Sequence, residues 1–404
     1  MGTGTGAPRV ALVHDYLNQR GGAERVFRHV ADLYPDAPVY TSLFDRAVTG
    51  DLVAPDRVHV SPLDRIPGSR RFFRALAPLY PWAFERFDLA AYDTIVSTTT
   101  SWAKGVRFRD GAVHVSYIHT VSRFAFDYDR YVGGFGLATL ARPLVARLVH
   151  WDRRAAERPT AFVANSANVA ARVRRYYGRE AFVVPCPVDV ERFAPAPLAE
   201  VGDRYLVVSR LLGYKRVDLA IDACRLAGAR LAVVGEGPAR AALERRAVGS
   251  RTEFLGAVGD DALRSLMARA RAVILPGEED FGLVPLEAAA SGRPAIAYGR
   301  GGALETIVAE TGTWFLEPTA ESLAAALCAF DPNRYDPTIM RAHAERFSPA
   351  CFAARFGAVV DEVRALGSRV AVDAELGRRA QERERLASVT SAAVERIGGP
   401  AELG

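Results

Sequence analysis

Two glutamates and the short segment between them carry the strongest chemical signal in the sequence. Glu279 and Glu287 have a Glu-x7-Glu spacing in Glu-Asp-Phe-Gly-Leu-Val-Pro-Leu-Glu, directly after an apolar run of strand length. Pro285 suits the first position of a helix, which would place Glu287 in its first turn. Backbone amides at the start of such a helix bind anions such as a diphosphate. These amides belong to Phe281, Gly282, Leu283 and Val284.

The two carboxylates need a different kind of partner from the amides between them. A carboxylate beside a diphosphate is repelled, so we expect Glu279 to bind hydroxyls of a sugar and Glu287 those of a ribose. The alternative is that both are solvated loop and cap residues.

A second segment supplies fixed positive charge. Arg210 and Lys215 lie in Val-Ser-Arg-Leu-Leu-Gly-Tyr-Lys, after another apolar run. Lys215 is one of two lysines, with Lys104, in a chain of 52 basic residues. An anionic leaving group needs fixed cations, so we predict that Arg210 and Lys215 bind one. An ordinary surface pair is the alternative.

Two further features occur at strand ends. Gly21 and Gly22 follow the first predicted strand, where a side chain would block close approach of the backbone to phosphate or acceptor. His119 ends a buried strand, at the edge of a doubly wound sheet where ligands bind. A plain turn and a structural histidine are the alternatives.

The elements that must position these residues alternate along the chain. Apolar runs of strand length alternate with segments of helical period, which predicts an α/β protein with parallel sheets covered by helices. A proline-rich stretch indicates a domain boundary near residue 198. The predicted strands are Arg9–His14, Thr94–Ser97, Val113–Ile118, Ala161–Ala164, Phe182–Val184, Tyr205–Ser209, Arg230–Val234, Thr252–Leu255, Ala272–Leu275 and Pro294–Ala297.

Taken in order, these motifs resemble the signature of retaining family-4 glycosyltransferases of the GT-B fold, over about residues 9–360. The resemblance implies two Rossmann-like, doubly wound parallel-sheet domains facing an interdomain cleft. Residues 1–198 would form the acceptor-binding domain and 199–335 the nucleotide-sugar domain. Residues 336–365 would cross back to the first domain, and 366–404 would form an exposed helical tail.

The resemblance also assigns roles in the cleft. It implies that Glu279 contacts the transferred sugar, Glu287 holds the nucleotide's ribose, and Arg210 and Lys215 bind the donor diphosphate. His119 then lies beside the donor sugar.

In the family, the glycine turn at Gly21 and Gly22 comes close to donor phosphate and acceptor. Gly301-Gly302-Ala-Leu-Glu305 would face the diphosphate. Arg216 departs from the pattern, because the family usually has a glycine-like residue there. Ala289 also departs, because Met is common at that position.

The implied activity is retaining, metal-independent transfer of a hexosyl group from a nucleotide-sugar to a hydroxyl of a glycan, glycolipid or small-molecule acceptor. The segments Tyr-Ile-His-Thr and Gly-Gly-Ala-Leu-Glu-Thr resemble bacterial mannosyltransferases that use GDP-mannose. A nucleotide-sugar epimerase of the same fold and a catalytically inactive binding homologue remain alternatives. A nicotinamide-dependent oxidoreductase is disfavoured because no G-x-G-x-x-G follows the first strand.

The composition of the chain limits the partners and the cellular location that we expect for it. A net charge of +5 from 52 basic and 47 acidic residues is too balanced for a nucleic-acid binder. The sequence shows neither a signal-peptide pattern nor a run of about 18 apolar residues, so we expect a cytoplasmic protein. The four cysteines lack metal-ligand spacing and are expected to be small buried thiols.

Two local patterns bear on whether the protein binds a metal ion and whether it contacts a membrane. Asp127 and Asp129 have the Asp-x-Asp form of a metal site but follow a basic-aromatic loop, so we expect a solvated or acceptor-side pair and no metal or other cofactor. Residues 67–84 combine three arginines with five aromatic residues, which suits peripheral contact with an anionic membrane. A helix packed on the first domain is the alternative.

Overall fold

A computed structural model describes residues 8–122, 126 and 142–382. The chain folds into two parallel β-sheets, each the centre of a Rossmann-like domain. The first has seven strands in the order β3-β2-β1-β4-β5-β6-β7, and the second has six in the order β10-β9-β8-β11-β12-β13. Their bounds are β1 Val10–His14, β2 Val39–Thr41, β3 Val58–Val60, β4 Thr94–Thr99, β5 Val113–Ile118, β6 Ala161–Ala164, β7 Ala181–Val183, β8 Arg204–Val208, β9 Arg230–Val234, β10 Thr252–Gly256, β11 Ala272–Leu275, β12 Ala295–Tyr298 and β13 Gly312–Phe315.

Helices connect and cover the strands, as parallel pairing requires. They are α1 Gly22–Leu33, α2 Arg46–Thr49, α3 Tyr80–Glu85, α4 Arg142–Ala155, α5 Ala167–Tyr177, α6 Val217–Leu226, α7 Arg240–Ala247, α8 Asp260–Ala268, α9 Leu283–Ala290, α10 Ala303–Thr306, α11 Ala320–Ala329, α12 Pro337–Glu345 and α13 Pro349–Leu366. All ten predicted strands are present, with ends shifted by one or two residues at most. Strands β2, β3 and β13 were not predicted from the sequence.

The strand order reverses at the first strand of each sheet. β1 lies between β2 and β4, and β8 lies between β9 and β11. In such sheets ligands bind outside the carboxyl ends of the strands at this reversal. The residues that follow β1, β5, β8 and β11 are therefore brought to two facing sheet edges.

Helix α13 packs back against the first sheet. The ring of Tyr117 on β5 packs edge-on against Phe352 and Phe356 of α13, with centroids 5.7 and 5.8 Å apart. The last strand of the first sheet ends at Val183 and the first strand of the second begins at Arg204, on either side of the predicted boundary. The boundary at residue 198 itself stays a prediction.

Two expectations about exposure are wrong. The predicted tail is helical over 369–382, but Val372 and Leu376 in it are buried against the core. All four cysteines are free thiols, but Cys328 is exposed and Cys351 is only half-buried, whereas Cys186 and Cys224 are buried as expected.

The basic-aromatic segment is not one amphipathic helix. It forms a 3-10 helix over Phe73–Leu79 followed by α3, in keeping with its two prolines. Tyr80 and Phe84 are core residues, whereas Phe72 and Trp82 are 62% and 45% exposed. Within the described residues, the helices lack the combined length and apolar character that crossing a bilayer requires.

Candidate active site

A cleft of about 560 Å³ lies between the carboxyl edges of the two sheets. Glu287 is the predicted site residue that does not line it. The predicted residues that do line it are Gly21, Gly22, His119, Arg210, Lys215, Glu279, Phe281, Gly282, Leu283 and Val284.

Helix α9 starts earlier than predicted. It begins at Leu283, and Gly282 precedes it with φ +99°, a left-handed conformation that favours glycine. Pro285 is therefore the third helical residue, and Glu287 lies beyond the first turn. The expectations that Pro285 takes the first position and Glu287 the first turn are wrong, because the chain turns at the glycine rather than at the proline.

Lys215 and Glu279, which both line the cleft, form an ion pair with each other. Lys215 Nζ donates to both carboxylate oxygens of Glu279, at 2.6 and 2.7 Å. Both side chains are about four-fifths buried. The close packing of Gly277 fixes the two loops against each other, since a Cβ there would lie 2.7 Å from the carbonyl oxygen of Tyr214.

Arg210 is a second cation at the cleft. Within the described part of the chain, its guanidinium forms no hydrogen bond or ion pair. Its positive charge lowers the pKa of Glu24, although burial, the largest cause, raises that pKa overall. Arg210 and Glu24 line the same cleft from opposite domains, and Arg210 is available to an anion.

Two histidines of the first sheet line the same cleft. His14 ends β1, stacks on Phe27 with centroids 4.6 Å apart, and shares a hydrogen bond between Nδ1 and the hydroxyl of Thr98. His119 follows β5, and its backbone N–H donates to Thr99 at 2.9 Å. Burial, the main cause, lowers the pKa of His14 to about 4 and that of His119 to about 3. Both imidazoles are thus neutral at pH 7.

Glu287 is bound to a residue of the opposite domain. Arg25 Nη1 donates to Glu287 Oε1 at 2.7 Å, and the Glu287 side chain is only 5% exposed. The neighbouring carboxylate raises the pKa of Arg25. Since Arg25 lines the cleft and Glu287 does not, a ribose would reach this carboxylate only by competing with Arg25.

The glycine pair at the start of α1 is packed by protein atoms. A Cβ at Gly22 would lie 3.1 Å from Leu283 Cδ1 of the opposite domain, and one at Gly21 would lie 2.7 Å from Glu24 Oε2. Gly22 thus allows the two domains to approach each other closely at the edge of the cleft, whereas Gly21 leaves room for the carboxylate of Glu24 in its own domain.

The Gly301-Gly302 motif likewise serves packing. A Cβ at Gly302 would lie 2.4 Å from Phe281 Cα, so this turn supports the loop that carries Glu279. Glu305 accepts hydrogen bonds from the backbone amides of Ala167 and Asn168 at 2.7 and 2.9 Å. The expectation that Glu305 faces a diphosphate is wrong, because its carboxylate caps helix α5 of the first domain.

Asp280 makes a further contact between the domains. Its carboxylate accepts from Arg172 at 2.8 Å, and its carbonyl oxygen accepts from the Ser166 hydroxyl at 2.7 Å. Asp280, Glu287 and Glu305 thus each bind the first domain.

Sequence reasoning missed His14, Glu24 and Arg25 as cleft residues. The available signals were the position of His14 at the end of a strand, as for His119, and the position of Glu24 and Arg25 directly after the glycine pair. No group of three or more His, Cys, Asp or Glu suited to a metal ion occurs in ranges 8–122 and 142–382. Asp127 and Asp129 lie outside the described residues.

Family comparisons agree with this geometry. A model described as Glycosyltransferase Family 4 matches residues 20–192, and one described as Glycosyl transferases group 1 matches residues 202–330. Two facing Rossmann-like sheets with a cleft at their carboxyl edges define the GT-B fold. The chain belongs to the family-4-like glycosyltransferases of this fold.

Two curated relatives of the chain are mannosyltransferases. The chain is 34% identical over 182 residues (41% of this chain, 48% of the relative) to a GDP-mannose-dependent alpha-(1-6)-phosphatidylinositol dimannoside mannosyltransferase of Mycobacterium tuberculosis. It is 33% identical over 189 residues (37% and 50%) to the corresponding monomannoside mannosyltransferase of Mycolicibacterium smegmatis. The chain thus spans about half the length of these relatives.

Solved structures match over most of the chain. Anabaena HepE in complex with UDP and glucose has a TM-score of 0.64 at 20% identity, covering 88% of this chain and all of that one. Sucrose-phosphate synthase from Thermosynechococcus elongatus has a TM-score of 0.67 at 19% identity, covering 89% and 100%. At these identities the similarity shows the fold alone.

Proposed function

We propose that the chain transfers a mannosyl group from GDP-mannose, with retention of anomeric configuration, to a hydroxyl of a glycan, glycolipid or small-molecule acceptor. The observation that carries this proposal is the Lys215–Glu279 ion pair, which lines one cleft together with Arg210, the start of α9 and, from the first domain, His119. The printed activities of the mycobacterial relatives support the choice of donor.

The donor diphosphate would bind on the second-domain side of the cleft. Arg210 and Lys215 supply two fixed cations, and the amides at the start of α9 supply hydrogen-bond donors and the positive end of a helix dipole. Such groups stabilise the charge that develops on the leaving nucleotide, and they need no rearrangement during the reaction. The proposed reaction therefore requires no divalent metal.

The transferred sugar would lie between Glu279 and His119. Glu279 gives up Lys215 to the diphosphate and accepts hydrogen bonds from sugar hydroxyls. His119, kept neutral by burial, can bind a hydroxyl without attracting the anionic nucleotide. Together they hold the anomeric carbon in position for attack.

Retention would follow from attack on the face that the nucleotide leaves. Glu279, the carboxylate at the proposed sugar position, is assigned to hydrogen bonds with sugar hydroxyls and not to attack on the anomeric carbon, so the proposed route has no covalent enzyme intermediate. We therefore assign deprotonation of the acceptor hydroxyl to the departing phosphate oxygen.

A nucleotide-sugar panel tests the function. The full chain is incubated with GDP-mannose, GDP-glucose, UDP-glucose or UDP-N-acetylglucosamine, with and without methyl α-D-mannopyranoside or mannosylated phosphatidylinositol. Release of GDP and formation of an α-linked mannoside, followed by NMR, are expected. A β-linked product would contradict retention, epimerised donor in the absence of acceptor would indicate the epimerase, and binding without turnover would indicate the inactive homologue.

A matched pair of variants ties turnover to the site. Glu279→Ala should abolish most activity, whereas Glu278→Ala should retain it. Glu278 is the adjacent, exposed carboxylate and does not line the cleft. Equal losses of activity in the two variants would show that turnover does not depend specifically on the proposed donor site.

We also propose that the first domain contacts an anionic membrane through residues 67–84. Exposed Phe72 and Trp82 stand beside cations, since the Arg71 guanidinium lies 5.4 Å from the Phe72 ring and that of Arg86 lies 5.4 Å from the Trp82 ring. Rings at headgroup depth with adjacent arginines suit an anionic lipid surface. A lipid-linked acceptor would then be presented at the first domain.

Vesicle sedimentation tests this contact. The protein should pellet with phosphatidylglycerol vesicles at low salt, less at high salt, and less with phosphatidylcholine alone. Replacing Phe72 and Trp82 together by Ser should reduce pelleting, whereas Leu198→Ser, at a 74% exposed residue outside the segment, should not. Salt-insensitive recovery in the supernatant would reject the membrane contact.

A further inference from the structure

Three buried polar side chains of the first domain line the cleft opposite the donor-binding loops. His14 and Glu24 are each 2% exposed and His119 is 8% exposed. Burying polar groups without hydrogen bonds is costly, so native proteins pair them with protein, water or ligand.

Both imidazoles retain unused hydrogen-bonding capacity. Within the described residues, His14 Nε2 and His119 Nε2 are buried and form no hydrogen bond. His14 cannot easily turn to satisfy this atom, because its ring is stacked on Phe27 and its Nδ1 is held by Thr98. The orientation of Nε2 is therefore built into the end of β1.

Glu24 completes the group from helix α1. Its Oε1 accepts from Gln19 Nε2 at 3.1 Å, and its Oε2 lies close to the glycine turn. As for Glu279 and Glu287, a diphosphate would repel the Glu24 carboxylate, whereas a hydroxyl could bond to it.

We propose that His14 and Glu24 form a hydroxyl-binding subsite for the acceptor, which would be a sugar or cyclitol ring. This inference rests on the proposed transferase function and extends it to residues on the first-domain side of the cleft. His119, which follows β5 two strands away from β1, lines the same cleft and is the residue assigned to the transferred sugar.

The chemistry of the subsite selects neutral hydroxyls over ions. Burial, the largest cause, lowers the pKa of both histidines and raises that of Glu24, so the imidazoles carry no charge for a phosphate. A hydroxyl both donates and accepts, so it can pair with His14 Nε2 in either tautomer. Adjacent hydroxyls of one ring could bond to His14 and Glu24 together.

Histidine NMR of the full chain tests the subsite directly. With GDP present, myo-inositol and methyl α-D-mannopyranoside are titrated into protein labelled with ¹⁵N-histidine. The ring nitrogen resonances of His14 should move with at least one polyol, and inorganic phosphate should leave them in place. Movement with phosphate alone, or no movement with either polyol while GDP still binds, would overturn the subsite.

Variants separate a binding role from a folding role. His14→Phe keeps the stack on Phe27 but removes both nitrogens, so affinity for the responding polyol should fall at least about fivefold. GDP affinity should change less than about twofold, because the donor side is untouched. His14→Gln, which restores a side-chain amide, should recover part of the polyol affinity.

Two controls complete the comparison. Glu24→Gln should weaken the polyol less than Glu24→Ala, because the amide still forms hydrogen bonds. His59→Phe, at an exposed histidine of the same sheet, should change nothing. Failure to bind GDP or to turn over GDP-mannose would contradict the proposed function instead, whereas equal losses of polyol and GDP affinity in His14→Phe would reject the subsite alone.

Discussion

Lys215 and Glu279, which the family resemblance assigns to the diphosphate and to the sugar of the donor, are bound to each other in this structure. Lys215 Nζ lies 2.6 and 2.7 Å from the two carboxylate oxygens of Glu279. A bound donor would replace this ion pair with two contacts, from Lys215 to the diphosphate and from Glu279 to the sugar. The pair thus holds both side chains in place before the donor arrives.

Glu279→Ala should lower kcat by at least about a hundredfold, because it removes the group that positions the sugar. GDP affinity should stay the same or rise, since Glu279 no longer competes with the diphosphate for Lys215. Steady-state kinetics and calorimetry with GDP provide the two numbers. A large loss of GDP affinity with little change in kcat would reverse the assigned roles.

Lys215→Ala should weaken donor binding and turnover together, each by about tenfold or more, because a fixed cation is lost from the diphosphate site. Arg216→Gly is the matched control. Arg216 has φ +52° and does not line the cleft, so glycine removes one cation of the same loop and relieves a left-handed residue. Kinetics should be nearly unchanged and Tm equal or higher, and a comparable activity loss would mean that general charge suffices.

Activity should persist in EDTA, because Arg210, Lys215 and the α9 amides would supply the charge stabilisation that a metal provides elsewhere. The measurement is the initial rate before and after chelator, then with added magnesium or manganese. Inactivation by EDTA that either metal reverses would restore Asp127 and Asp129 as candidate ligands.

Glu287→Ala should weaken GDP by about tenfold through loss of a ribose hydrogen bond. Arg25→Ala should instead tighten GDP by about threefold, since it removes the competitor for that carboxylate. Arg28→Ala on the same helix, with its own partner Asp32, is the control and should have no effect. Weaker GDP binding in Arg25→Ala would mean that Arg25 supports the nucleotide rather than competing with it.

Three buried histidines should make stability fall in mild acid. Burial lowers the pKa of His14 to about 4 and of His114 and His119 to about 3, against 6.5 ordinarily. Between these values the unfolded chain holds more protons, so the free energy of unfolding decreases as pH falls from about 6.5, by up to about 1.4 kcal/mol per pH unit for each histidine.

Urea unfolding at pH 7.5, 6.5 and 5.5 measures this dependence. Glu24, whose raised pKa acts in the opposite direction, is common to wild type and His14→Phe, so their difference isolates one histidine. His14→Phe should lose less stability between pH 6.5 and 5.5 than wild type. Parallel pH profiles for the two proteins would mean that His14 has the same pKa in the folded and the unfolded chain.

The sheets were predictable because buried parallel strands are continuous apolar runs. Val113–Ile118 and Ala272–Leu275 occur where the sequence placed them. Val39–Thr41 and Gly312–Phe315 were not predicted because Val-Tyr-Thr and Gly-Thr-Trp-Phe contain threonine or glycine and so are not continuous apolar runs. They pair with neighbouring strands β1 and β12.

The cleft was only partly predictable for a similar reason. Spacing identified Glu279, and composition drew attention to Lys215, but neither could show that they bind each other. The Arg25–Glu287 contact depends on the docking of two domains, and the unused Nε2 of His14 depends on its stack with Phe27. Such facts come from tertiary packing rather than from local pattern.

The packing of Tyr117 against Phe352 and Phe356 has a consequence for biosynthesis. A ribosome completes every strand of the first sheet before it makes α13, so the apolar face that α13 covers is open to water while the second domain is translated. Exposed apolar surface on a nascent domain favours chaperone capture and aggregation. A messenger truncated before the Pro349 codon would thus encode every strand of both sheets but leave this apolar face of the first domain exposed.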